Sequence, residues 1–173
     1  LEPRKNLMSL LLAYEKLPAA MRKEYSLLLV GARGWLDNEI FDIIERLRIA
    51  GNHIQQPQGY VKDEDRAAIY SGASLFVYPS KYEGFGIPPV EAMACGVPTI
   101  TSDNSSLPEA VGNAAITVGS ESIDGLADTM QKVLNNEKLQ KEMRKKGFTQ
   151  ADKYSWDTEA KKLIDILKEV GNK

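Results

Sequence analysis

The sequence predicts an α/β domain: a parallel sheet with helices on both faces. Short apolar runs closed by glycine or proline alternate with longer segments of helical periodicity, the order that right-handed strand–helix–strand crossovers produce. Two of the runs, SLLLV (26–30) and SLFVY (74–78), are almost continuously apolar, as expected of parallel strands covered on both sides. With 173 residues, 43% apolar and 27% charged, the chain fits one globular domain with a sizeable core.

Taken in order, Leu7, Leu10, Leu11, Tyr14 and Leu17 share one stripe of an amphipathic helix that Pro18 ends. The strand at 26–30 stops at Gly31. Residues 36–50 read as a helix with Asp37 near its start and Gly51 after its end. A short strand is expected at 54–56, and a helix with an acidic first turn at 63–71. The strand at 74–78 stops at Pro79. A helix then begins around Pro88 and Pro89, where a first turn tolerates proline, and ends at Gly96. Strands at 97–101 and 114–118 flank a short helix at 107–111, and helices near 122–135, 137–153 and 157–170 complete the chain. Trp35 and Trp156 read as packing residues.

Bulk properties exclude several classes of function. Twenty-two basic against 24 acidic side chains leave a net charge of −2, which provides no general attraction to nucleic acid. Cys95, the single cysteine, cannot form an internal disulfide, and together with the lack of a signal-peptide pattern it favours a cytoplasmic address. His53, the only histidine, stands in a polar loop without cysteine or histidine partners, and no metal site is visible. Cys95 lies among small residues on a helix and reads as an inert packed thiol.

In parallel sheets of this kind ligands bind beyond the carboxyl ends of the strands, which singles out the loops before Leu7, after Val30 and after Tyr78. The third, PSKYEGFGIPPVEAMACGVP (79–98), leaves a strand, passes Gly84 and Gly86, and enters a helix whose free N–H groups suit an anion. Glycines there allow the amides of Gly84, Phe85, Gly86 and Ile87 to approach a diphosphate. Glu91, in the first turn of the helix, is suited to accept both hydroxyls of a ribose, and Glu83, further out, to accept sugar hydroxyls. Residue types alone fit a tight strand-to-helix turn with a dipole-complementing glutamate equally well, and two glutamates also suit a glycosidase acid and nucleophile pair.

The longer string YPSKYEGFGIPPVEAMACGVPTITSD, followed by SSLPEAVGNAA and, near the end, FTQADKYSW, resembles the signature of the large family 4 of retaining glycosyltransferases, with its E-x7-E motif at Glu83 and Glu91. The resemblance covers nearly the whole chain. It implies that residues 1–173 are the C-terminal nucleotide-sugar-binding domain of a GT-B enzyme, a Rossmann-like half whose N-terminal acceptor domain is absent here. It further implies that Glu91 binds the donor ribose, that Glu83 contacts the transferred sugar as the catalytic-site glutamate, and that the amides of Gly84, Phe85, Gly86 and Ile87 serve the sugar and phosphates.

The start, LEPRKNL, resembles the loop in which the family grips the diphosphate with a basic pair. Lys5 matches the lysine; the arginine would fall before Leu1, with Arg4 assisting or replacing it. Arg33, following Gly31, faces the phosphate or base-side pocket on this reading, and Tyr60 and Val61 flank the base. The partners implied are a nucleotide-sugar donor and the acceptor-binding domain, through which peripheral membrane association is admitted; no cofactor or metal is expected. A binding subunit completed by a separate acceptor-binding chain, and a GT-B-like nucleotide-sugar epimerase, are the alternatives. This stretch by itself is expected not to complete transfer.

Overall fold

A computed structural model describes residues 2–31, 38–57 and 61–171. After a 3-10 turn (Pro3–Lys5), helix α1 (Leu7–Lys16) buries Leu10, Leu11, Ala13 and Tyr14. Pro18 stops α1 and opens a helix the periodicity did not predict, α2 (Ala19–Glu24), which buries only Met21 and is too short to show a stripe. There follow β1 (Leu27–Leu28), α3 (Asn38–Ile49), β2 (Ile54–Gln55), α4 (Asp63–Ser71), β3 (Phe76–Tyr78), α5 (Ile87–Ala94), β4 (Thr99–Ser102), α6 (Leu107–Val111) and β5 (Ile116–Val118). Helices α7 (Ile123–Leu134), α8 (Glu137–Ala151) and α9 (Trp156–Gly171) close the order.

All strand pairings among the described residues are parallel, in two ladders rather than one continuous sheet: β1 with β2, and β3–β4–β5 with β4 central. The strands are shorter than their apolar runs, because flanking residues such as Leu29 are buried without extending a ladder. Val77, Ile100 and Ile116 lie side by side across β3, β4 and β5 and face the larger core, formed with α1, α3 and α7. Strand alternation therefore turns Phe76 and Tyr78, with Thr99 and Thr101, to the other face, where α5 and α6 pack on β4. The predicted arrangement of helices on both faces is the observed one. No helix among the described residues is long and apolar enough to cross a membrane.

Trp156 corrects the sequence reading: it is 86% exposed rather than packed. It opens α9, an amphipathic helix with no buried residue, whose Leu163, Ile164, Ile166, Leu167 and Val170 are also exposed. Its periodicity is that of a packing helix, but no other described element covers its apolar stripe. Trp35 lies outside the described residues.

Helices α5 and α8 pack closely because α8 presents Gly147 to α5: a Cβ there would lie 3.3 Å from Cβ of Met93. Gly147→Val is therefore expected to overpack this contact and lower the unfolding free energy by about 1–3 kcal/mol, read as a drop in urea midpoint at unchanged m. An unchanged midpoint would show that the interface yields freely.

Candidate functional site

The carboxyl end of β3 is where the two loops picked out around Lys5 and Glu83 meet. Ser80, fully buried, follows the strand; its carbonyl accepts a hydrogen bond from the Ser102 hydroxyl at the end of β4. The amide of Lys81 donates to the Arg4 carbonyl at 2.7 Å. Asn6 ties the loops together, its side-chain amide donating to the carbonyls of Pro79 (3.1 Å) and Ser120 (2.8 Å). Its φ of 56° is left-handed, a conformation asparagine tolerates better than most residues, and it turns the chain from the 3-10 segment into α1.

Glu83 lies inward of this junction, not further out as its place in the loop suggested: it is only 8% exposed. Its Oε1 accepts from Lys5 Nζ (2.7 Å), the Ser80 hydroxyl (2.7 Å) and the Tyr78 hydroxyl (2.9 Å), and Oε2 from Arg4 (2.6 Å). Lys5 also donates to the Tyr78 oxygen and sits 4.9 Å over that ring. The main chain of Glu83 is fixed as well, its amide donating to the Ser105 hydroxyl and its carbonyl accepting from Ser106. Burial alone would raise the Glu83 pKa, but the hydrogen bonds from Lys5, Ser80, Arg4 and Tyr78 outweigh it and hold the carboxyl at about 2. Burial, with the hydrogen bond and charge of Glu83, pushes the Tyr78 phenol up, so it remains a donor.

The following turn differs in one respect from its sequence reading. Helix α5 starts at Ile87, and its second and third residues are Pro88 and Pro89, which carry no N–H. Two of the four amides that a helix start leaves free are therefore missing. The amides of Gly84, Phe85, Gly86 and Ile87 donate to no described backbone group outside the regular elements. Gly86 caps the helix at φ 107°, and a Cβ on it would come within 2.7 Å of the Leu107 side chain, so only glycine fits. Phe85 is anchored edge-on against Tyr154 at 5.1 Å, and Ile87 is exposed.

Glu91 is in the second turn of α5 rather than the first. Its Oε1 accepts from Arg66 (3.1 Å) and its Oε2 from Tyr70 (3.0 Å), both on α4. It borders a shallow cleft of about 330 Å³ whose walls include Arg66, Ala67, Tyr70, Ala94 and the half-buried Cys95. A hollow of similar size around Asn113, Lys145 and Gln150 shares no residue with the strand-end loops. Strand polarity, not volume, therefore makes Glu83 and Glu91 the candidate site.

The structure thus brings together Arg4, Lys5, Glu83 and the Gly84–Ile87 turn, with Glu91 at the neighbouring cleft. Gly31 is exposed after β1, and Val61 is half-buried before α4; neither hydrogen-bonds to the glutamate clusters. Arg33 and Tyr60 fall outside the described residues. Sequence reasoning did not single out Asn6, Arg66, Tyr70, Tyr78 or Ser80. The signal present for Tyr78 and Ser80 was a hydroxyl at the end of an apolar strand.

A parallel α/β domain with cations, a carboxylate pair and open amides at its strand ends has the architecture of a glycosyltransferase domain of the GT-B type. The chain belongs to the family described as glycosyl transferases group 1, which matches residues 1–150. It is 39% identical over 168 residues to the O-antigen chain mannosyltransferase B of Escherichia coli, covering 97% of this chain and 44% of that protein. It is 35% identical over 174 residues to the serotype-specific mannosyltransferase WbdA of Escherichia coli, covering 95% of this chain and 20% of that protein. The chain thus spans less than half the length of these relatives. Sucrose-phosphate synthase from Thermosynechococcus elongatus superposes with a TM-score of 0.82 at 25% identity, over 99% of this chain and 43% of that one. WaaG, a glycosyltransferase involved in lipopolysaccharide biosynthesis, shares the fold with a TM-score of 0.78 at 22% identity, over 94% of this chain and 43% of that one.

The depressed Glu83 pKa has a consequence for acid stability. A carboxylate with a lowered folded-state pKa contributes stability that is complete above its unfolded value, near 4.5, and lost as pH falls through about 2. Glu83→Gln is expected to flatten the fall in unfolding free energy across that window by on the order of 2 kcal/mol, followed by urea unfolding at a series of pH values. Parallel pH profiles for the two proteins would mean that Glu83 titrates normally.

Proposed function

We propose that this domain binds a nucleoside diphosphate sugar as donor and presents it for retaining transfer to an acceptor, with mannose as the sugar. The observation that carries the reading is the convergence of Arg4 and Lys5 on Glu83 beside the open amides of Gly84 to Ile87. The mannosyltransferase relatives support the choice of sugar. They also favour transfer over the epimerase alternative. The part of those relatives that lies outside this chain's match would supply the acceptor site.

In this mechanism the bond from the anomeric carbon to the diphosphate oxygen breaks, the acceptor hydroxyl oxygen bonds to that carbon on the same face, and the acceptor's proton passes to the departing diphosphate oxygen. Negative charge gathers on the leaving diphosphate, where Lys5, Arg4 and the turn amides stabilise it. Glu83 is a poor base or nucleophile, because its carboxylate is held near pKa 2 and its lone pairs are engaged by four donors. Its task is orientation. Arg4, the more exposed of its two cations and the only donor on Oε2 among the described residues, turns to the diphosphate and frees that oxygen for a sugar hydroxyl. Glu91 has two donors on its two oxygens and lone pairs left for the ribose hydroxyls.

A thermal-shift panel of GDP-, UDP- and ADP-sugars is expected to select one nucleotide and, within it, mannose, with the same shift in EDTA as in magnesium. Stabilisation by no member, or only in magnesium, would overturn the binding reading or its reliance on protein cations.

The two glutamates are expected to separate. Glu91→Ala should weaken both the bare nucleoside diphosphate and its sugar conjugate by about 2–3 kcal/mol, roughly 30- to 150-fold, measured by calorimetry on variants shown to be folded. Glu83→Ala should leave the bare diphosphate unweakened, since Arg4 and Lys5 lose a competing anion, and should weaken the conjugate. Equal losses for the bare diphosphate, or none in either variant, would return both residues to structural roles.

A further inference from the structure

Between the two glutamates runs a row of three aromatic rings. Phe76 and Tyr78, two residues apart on one face of β3, stack with centroids 5.9 Å apart and planes 19° apart. Tyr70, from α4, meets Phe76 edge-on at 5.4 Å and 77°. The row ends in a hydroxyl on each side: Tyr70 donates to Glu91 Oε2 at 3.0 Å, and Tyr78 to Glu83 Oε1 at 2.9 Å.

We propose that Tyr70, Phe76 and Tyr78 form a strut that sets the two site glutamates relative to each other, with Tyr70 a positioning residue for Glu91 and Tyr78 a positioning residue for Glu83 and Lys5. The proposal rests on the donor-binding reading, in which the glutamates take different parts of one ligand. A glutamate side chain has three rotatable bonds, whereas a tyrosine hydroxyl lies in the plane of its ring at fixed reach, so a packed ring fixes the carboxylate it bonds. The Tyr78 oxygen accepts from Lys5, which commits its one proton to Glu83. When Arg4 turns to the diphosphate, Lys5, Ser80 and Tyr78 still hold Oε1, and the orientation of Oε2 towards the sugar depends on them. Both phenols are pushed up, first by burial and then by their glutamates, and stay donors at neutral pH. Phenylalanine would fill the same volume at either position, so the hydroxyls serve the carboxylates and not the packing.

That equivalence makes the test specific. Tyr70→Phe, Tyr78→Phe, Glu83→Ala and Glu91→Ala are made in the full chain, checked for folding, and titrated by calorimetry with two probe pairs, GDP against GDP-mannose and UDP against UDP-glucose. Tyr70→Phe should weaken both members of the pair that binds by about three- to tenfold, a fraction of a charged hydrogen bond. Tyr78→Phe should weaken the conjugate more than the bare diphosphate, lowering the ratio of their affinities by a similar factor. If the glutamate variants separate while the tyrosine variants bind like the parent, or both lose affinity without this selectivity, the strut is refuted and the donor reading stands. A ligand-free arm covers failure of the donor reading itself. Acetylation of Lys5 by an N-hydroxysuccinimide ester, measured by peptide mass against the exposed Lys141, should speed up about threefold or more in Tyr78→Phe, as expected for a lost hydrogen bond. An unchanged Lys5 rate overturns the role of Tyr78 whether or not any nucleotide binds.

Discussion

Glu83 stays ionised in a nearly closed environment only because four side-chain donors reach its two oxygens, and the rest of the site is arranged around that requirement. A lone carboxylate removed from water would take up a proton instead. The donors come from the 3-10 turn, from the last residue of β3 and from the turn after it, so segments up to 79 residues apart in sequence are brought to one point. Such a buried ion cluster adds little net stability beyond what an apolar core of equal volume would give. What it specifies is geometry: two cations, otherwise free to wander on long stems, are held together at the carboxyl end of β3.

Backbone chemistry completes the arrangement on the other side of the turn. Consecutive prolines fix φ through the first turn of α5, and the left-handed Gly86 is wedged against Leu107, so the chain has little freedom just where its amides stay open. The ordering cost of the loop is therefore met during folding and not on ligand arrival. The aromatic row links this rigid turn to the cleft at Glu91.

Much of the fold was legible because it depends on local periodicity. The helices at 63–71 and 107–111 appear at the predicted residues, and four strands are trimmed versions of their apolar runs, while β4 starts late and runs one residue past its own to Ser102. The missed α2 is too short for a pattern, and the exposure of Trp156 could not be read because amphipathicity tells which face wants a partner without telling whether one is there. At the site, the motif exposed Glu83, Glu91 and the intervening turn. Their partners were hidden for a different reason: Tyr70, Arg66, Tyr78 and Ser80 act through contacts whose existence depends on how β3, α4 and α5 pack, and a tyrosine in an apolar run looks like core. The burial of Glu83 was misjudged on the same ground, since loop membership says nothing about which way a side chain turns.

Asn6 gives the architecture a common fastening. One carboxamide holds the loop after β3 and the loop after β5 while its own backbone turns the chain into α1. Length changes in any of the three segments on the near side of Pro79 or Ser120 would pull on that knot and be felt at Lys5, one residue away. The exposed Tyr82 ring lies beyond that knot, but its carbonyl accepts from Arg4 and Ser80, so a length change there would be felt at Glu83 as well. This surface can be diversified through side chains, while its backbone length is fixed from both sides.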